Sequence, residues 1–440
     1  MIGSYDWPKD FRSWPPSDET VRCPFGYFDT LREKAPVHRF AEESQFGVPL
    51  YVVSRWEDCV DVLMRPGVFS NDVGFEGDSS GGGSGHSQFL GFDDVRKPPV
   101  DPEAVSNYEP TDIFFSDGAD HRVKRSWLWP FVSKESLEAA RPLIELEVSR
   151  LIDTFADDGF CDFRPQFSDV MSMKVVREVL GLPAAADKLV KRLSEAFEEN
   201  DNNPHRTEEM IEELREAWMD VQELVADVIR DRAASPVESD YVSRLVDMQV
   251  ARDGRLDVNV LSKQLSMTLF GAEHAMGGHL ADIVGRLARD PDLQDRVRRD
   301  RSLVRAVSLE CLRIETPVPW MFRRCVQDTT VGGVEVPAGS AVLVAMVAGN
   351  HDPSVFPSPA MFDVDRPNVA SDHLSLGRGV HRCVGAGMAA LQVEVTINAL
   401  LDRLSNIRLV EAESDLVPVL SFGFRVPRRV CIAFDGRSDM

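Results

Sequence analysis

The stretch from His373 to Leu391, HLSLGRGVHRCVGAGMAAL, constrains this chain more than any other, because it carries one cysteine out of a glycine-tight loop into a helix start. Gly377 and Gly379 open backbone angles closed to other residues, so the loop can fold tightly beneath a flat ligand. Gly385 and Gly387 let that ligand and a neighbouring helix come close. From Met388 the apolar residues Met388, Leu391 and Val395 recur at helical spacing, which puts Cys383 at or just before a helix N-terminus. Amide hydrogens there favour the thiolate over the thiol. The plainer reading of a lone cysteine near a helix start is a buried structural thiol.

The pattern GxGxHxCxG resembles the haem-binding signature of the cytochrome P-450 family, whose cysteine is the axial thiolate ligand of haem iron. The resemblance makes Cys383 the metal ligand and puts Gly377 and His381 at the cofactor, haem b (iron protoporphyrin IX). Leu376 stands where the family usually has Phe, so an aromatic shield of the sulfur is missing and a different haem potential is expected.

Further signatures follow in the family's order. In SDGADHRVKRSW, Ser116 or Asp117 offers a helix cap, and His121 and Arg125 lie four apart on one face. Alone this reads as a solvated basic face; the resemblance implies that both reach the haem propionates. Glu310 and Arg313 share a helix face and can pair; the resemblance adds Arg366, from SVFPSPAMFDVDRPN, as the third member of a buried ion-pair triad. Asn350, His351, Asp352, Pro353, Phe356, Pro357 and Phe362 match the segment NxDPxxFPxPxxFDxxR. Arg323, nine residues before Gly332, falls where family arginines meet a propionate. With His121, Arg125 and His381 it gives four donors for two carboxylates.

Within an apolar helical pattern from Asp257 to Asp290 lies LFGAEHAMGG. A glycine costs about 1 kcal/mol against alanine inside a helix, so something must benefit from the opening. The family pattern is small-Gly-x-acid-Thr. Gly271, Ala272 and Glu273 fit, but Phe270 replaces the small residue and His274 the threonine. By resemblance Glu273 relays protons and is catalytic with His274. Three readings of His274 stay open: a proton donor to bound oxygen, a substrate contact, or a core histidine satisfied by a neighbour.

Around these motifs, PLYVVS (Pro49 to Ser54) reads as a strand, and Ser54 with Glu57 as a capping box for the helix in SRWEDCVDVLM. The run SSGGGSG, Ser79 to Gly85, begins a long loop that is either functional or disordered. Amphipathic helices are expected from about Ser133 to Phe155, in MSMKVVREVLG, and on both sides of ENDNNPHRTEE. No repeat or linker divides the chain, so residues 1–440 are expected to form one domain.

A formal charge of −23 argues against a nucleic-acid partner. The proline-rich, charged lead lacks a signal or anchor, and the longest apolar run, Ala341 to Ala348, is too short to span a bilayer, so a soluble cytoplasmic protein without membrane contact is expected. Seven widely spread cysteines without a CxxC pair suit a reducing compartment.

The resemblance covers essentially the whole chain. It implies a mainly α fold with small β-sheets, the haem lying between the long distal helix and the proximal cysteine helix. The activity implied is a haem-thiolate monooxygenase that oxidises a small-molecule substrate, lipophilic or aromatic, with O2. No flavin or iron–sulfur motif is present, so a separate ferredoxin and ferredoxin reductase, or a flavodoxin, would supply electrons, docking on Arg122, Lys124, Arg378 and Arg382. Phe89, Phe92, Phe270, Trp320 and Phe422 are the expected substrate-pocket residues. Peroxide-driven or coupling chemistry, and a haem sensor without turnover, stand as alternatives.

Overall fold

A 32-residue helix, Val258–Arg289, is the axis of the molecule. In this computed structural model, which describes residues 9–41, 47–73, 112–200, 203, 205–238, 240–421 and 423–436, the helices Asp169–Leu180, Ala185–Asn200, Glu208–Ala234, Leu303–Glu315 and Ala386–Arg403 are among those that pack around it. The limits are set by local chemistry. Asp257 caps the start by accepting from the Val260 N–H at 3.1 Å, and Asp290 ends it while its carboxylate accepts from Leu293 of the next helix. Ser133 and Thr207 cap the helices Lys134–Asp153 and Glu208–Ala234 in the same way.

The glycine pair of the long helix is filled, not open. A Cβ on Gly277 would stand 2.4 Å from Oδ1 of Asp169, and one on Gly278 would stand 2.1 Å from a methyl of Val426. Those glycines let a helix and a strand segment close against the axis. Gly271 alone of the three glycines in that motif has nothing within 4 Å of its Cβ position.

Beside the helices, a five-stranded sheet orders Val37–Arg39, Leu50–Val53, Ala341–Val344, Met321–Cys325 and Phe69–Ser70. Leu50 to Val53 run parallel to Ala341 to Val344, and both strands are buried throughout, as parallel strands covered on two faces must be. Alternation sends Leu50, Val52 and Leu343 into one core and Tyr51, Val53 and Val342 into another. Trp320 belongs to the first of these. It meets Trp14 edge-on at 5.0 Å and lies beside Phe28, so this expected pocket residue packs into that core.

The cap of Trp56–Met64 also departs from the local reading. The Ser54 hydroxyl donates to the Pro36 carbonyl, and the Trp56 N–H is accepted by the Asp352 carboxylate at 2.9 Å, nearly three hundred residues away. Among the described residues no helix is long and apolar enough to cross a membrane.

Candidate active site

The cysteine loop is held from below by polar groups of distant segments. Glu310 and Arg313, i and i+3 on one helix, make a two-bond pair at 2.7 and 2.8 Å, and Arg366 adds Nε to Glu310 Oε1 at 3.1 Å. All three are buried, and the spare guanidinium hydrogens go to the carbonyls of Asn350, Pro357, Pro359 and Met361. A buried ion cluster is tolerated when every lone pair and proton is used in this way. The Asn350 amide carries the order upward, donating to Thr316 and Ser375 and accepting from the Leu374 N–H at 2.7 Å.

The loop itself then turns on positive-φ glycines, Gly377 at +67° and Gly379 at +70°. A Cβ at Gly379 would sit 2.9 Å from the Leu63 carbonyl, so no other residue fits that turn without strain. The Cys383 N–H closes it on Leu376 O at 2.7 Å. The helix Ala386–Arg403 begins three residues on, and a Cβ on Gly387 would meet Leu137 at 2.9 Å, which brings the helix Lys134–Asp153 close.

Five of the seven cysteines are buried; Cys383 is exposed although its sulfur is enclosed by dense protein. Burial pushes the thiol up, while the N–H groups of Gly385 and Ala386 and the guanidiniums of Arg382 and Arg125 pull it back. Leu376, with Met64, His373, Arg378 and Arg382, lines a hollow of about 280 Å³ next to the loop.

A cluster of donors gathers beside this loop. The His121 and His381 rings lie 4.1 Å apart, His381 Nε2 is 3.1 Å from Asp117 Oδ1, Arg125 donates to the Arg382 carbonyl, and the buried Arg323 is joined to the group by its attraction to Asp117. Asp117 does not cap its helix with its side chain; its other oxygen takes Ser70 Oγ at 2.5 Å and the Asn71 N–H. Burial works to raise the Asp117 carboxyl, but the bonds from His381 and Ser70 hold it below its ordinary value. Burial first, then the charges of His381 and Arg125, bring His121 down to about 4, and burial brings Arg323 to about 10. Two guanidiniums and two imidazoles thus gather beside one carboxylate, His121 being neutral near neutrality.

On the long helix, Met267, Thr268, Gly271, Ala272 and Ala275 keep some exposure along one face, while Phe270, Glu273 and His274 beside them are buried. Glu273 accepts from Ser194 Oγ at 2.5 Å, and burial pushes its carboxyl up to about 7. Burial takes His274 to about 3, so it is neutral near neutrality. Its ring is edge-on to Phe424 at 4.6 Å, and Phe424, Phe197 and Phe270 form one aromatic group. Phe197 and Phe424 join Phe270 here; Phe197 was legible as an aromatic on the apolar face of its helix. Phe89, Phe92 and Phe422 lie outside the described residues.

The expected basic patch is smaller than its sequence suggests. Lys124 is fully buried and paired with Asp120, and Arg378 stacks over Trp56 at 5.0 Å while binding the Ser371 carbonyl. Arg122 and Arg382 remain exposed.

The sequence profile of the family described as Cytochrome P450 matches residues 92–413. The chain belongs to the cytochrome P450 family. Pulcherriminic acid synthase of Bacillus subtilis (strain 168) is 28% identical to this P450 over 434 residues, 96% of this chain and 97% of that protein. The 6-deoxyerythronolide B hydroxylase of Saccharopolyspora erythraea is 32% identical over 316 residues, covering 72% and 76% respectively. The fold matches the solved heme domain of a Tepidiphilus thermophilus P450 with a TM-score of 0.80 at 21% identity, over 98% of this chain and 97% of that one. Proteins of this family bind haem b. The residues present suit it: an accessible thiol in an amide-rich turn offers an axial ligand, and the Arg125 and Arg323 guanidiniums with the His121 and His381 rings offer donors to a pair of propionates.

Proposed function

We propose that residues 1–440 form one haem-thiolate monooxygenase domain that oxidises a lipophilic or aromatic small molecule, using O2 and electrons from a separate ferredoxin with its reductase or from a flavodoxin. The observation that carries this reading is Cys383, accessible at the end of a glycine-turned loop held by Asn350 and the ion cluster beneath it. When bound, haem supplies the activation of dioxygen. The protein's part is to hold, shield and deliver. Cys383 would ligate the iron, with the Gly385 and Ala386 amides favouring its thiolate, and His121, Arg125, Arg323 and His381 would hold the propionates. Glu273, with a carboxyl at about 7, can take up or release a proton at neutral pH. Phe197, Phe270 and Phe424 present an apolar wall that excludes water and favours a lipophilic substrate. Arg122 and Arg382, exposed on an acidic molecule, would meet an acidic electron donor.

The test is the carbon monoxide difference spectrum of the reduced, haem-loaded protein. A thiolate-type band is expected for the wild type, and its persistence in Cys383→Ala would overturn the reading. A second reading, peroxide-driven or coupling chemistry, is favoured by His274, a neutral imidazole where the family carries a hydroxyl. Turnover with hydrogen peroxide alone, matched against the ferredoxin system, separates the two.

A further inference from the structure

Two rungs join the helix Ala185–Asn200 to the long helix. Ser194 and Glu198, four apart on one helix face, meet the consecutive residues Glu273 and His274. The first rung is the Ser194 to Glu273 hydrogen bond at 2.5 Å. The second is a contact of 3.3 Å between His274 Nε2 and Glu198 Oε2. The carboxylate lies off the line of the ring N–H, so Nε2, fully buried, is left without a hydrogen bond. A buried imidazole nitrogen without a partner is destabilising, and a small turn of the ring onto Glu198 would satisfy it. The Glu198 side chain keeps a quarter of its exposure, so it reaches solvent where His274 does not.

We infer that Glu198 is a positioning residue for His274, selecting which imidazole nitrogen carries the proton and linking the buried Glu273–His274 pair to solvent. This rests on the monooxygenase reading above. With Glu198 ionised, His274 carries its proton on Nε2 and leaves Nδ1, on the side away from Glu198, as an acceptor. With Glu198 protonated, its O–H donates to Nε2 and the imidazole proton sits on Nδ1. Inward transfer breaks the Glu198 O–H bond, forms Nε2–H and releases the Nδ1 proton to water or substrate beyond. Two protons hop for a net transfer of one, no electron moves, and the site resets when the imidazole returns to the Nδ1–H tautomer and solvent water reprotonates Glu198.

The surroundings favour a carboxyl that changes state. Burial first, then Asp169 and Glu199, push Glu198 up, against Arg164 and Arg428; Asp169, Arg164 and Glu198 also act on Glu273. Arg164 is itself engaged, by Asp169 at 3.3 Å and by the Pro427 carbonyl, so it does not neutralise Glu198 alone.

The experiment uses haem-loaded wild type, Glu198→Gln and Glu198→Asp, reduced and bound to carbon monoxide so that the iron is diamagnetic. The thiolate-type band is recorded first; its absence in wild type would sink the monooxygenase reading and not this one. Nitrogen-15 spectra of His274 are then followed from about pH 5 to about pH 8. The wild type should pass from the Nδ1–H to the Nε2–H tautomer as Glu198 ionises, Glu198→Gln should hold one tautomer throughout, and Glu198→Asp should restore the change. Product formed per electron should fall about tenfold or more in Glu198→Gln and lose its pH dependence. A tautomer and pH profile unchanged in Glu198→Gln would overturn the inference, as would lost coupling with the tautomer transition intact.

Discussion

Glu310 and Glu273 are the same residue on helices that pack against each other, both buried, and the protein treats them in opposite ways. Glu310 receives two bonds from Arg313, one from Arg366 and one from the Asp363 N–H. Glu273 receives one, from a neutral hydroxyl. The fold gives one carboxyl four donors and the other a single one, and burial pushes the second up to about 7. What separates the two carboxyls is therefore how many donors surround each, not burial alone.

The sharpest way to break this comparison is to remove both charges by the same substitution. Glu310→Gln leaves two buried guanidiniums uncompensated and should cost about 3–5 kcal/mol in chemical unfolding, with haem retention falling in parallel. Glu273→Gln should do the reverse. Its folded pKa of about 7 exceeds the ordinary 4.5, so ionisation favours the unfolded chain, and wild-type stability from this group is lost as pH rises through that window. The variant should gain on wild type from about pH 4.5 and level off above about pH 7, by at most about 3 kcal/mol. A flat difference across pH would show that Glu273 is not held neutral by burial.

Smaller effects refine the two sides. Gly379→Ala forces a Cβ towards the Leu63 carbonyl at a φ of +70°, and should cost about 1–3 kcal/mol, read as a lower denaturation midpoint. Ser194→Ala removes the single donor to Glu273, so the carboxyl should rise further. Stability should drop by about 1 kcal/mol above pH 7, where the wild-type group is ionised, and stay unchanged below pH 4.5.

Much of this was legible before any coordinates. The long helix was expected between Asp257 and Asp290 and runs Val258–Arg289, because both aspartates are caps and the apolar period between them is unbroken. The cysteine turn was legible because glycine is the residue that its backbone angles admit. Glu198 was not singled out, although an acid four residues from Ser194, beside Leu193 and Phe197 on a buried helix face, was a signal in plain view.

Local chemistry, acting over a few residues, was enough to determine where helices begin, where the backbone must turn and which residue types share a face. Tertiary structure alone decided which partner each polar group meets. It sent Asp352 to cap Trp56, turned Asp117 away from its own helix towards His381 and closed Gly277 and Gly278 against Asp169 and Val426. The reason is range: a cap or a turn is settled within one hydrogen bond along the chain, whereas a buried charge takes its energy from whatever the fold brings within a few ångströms, however far off in sequence.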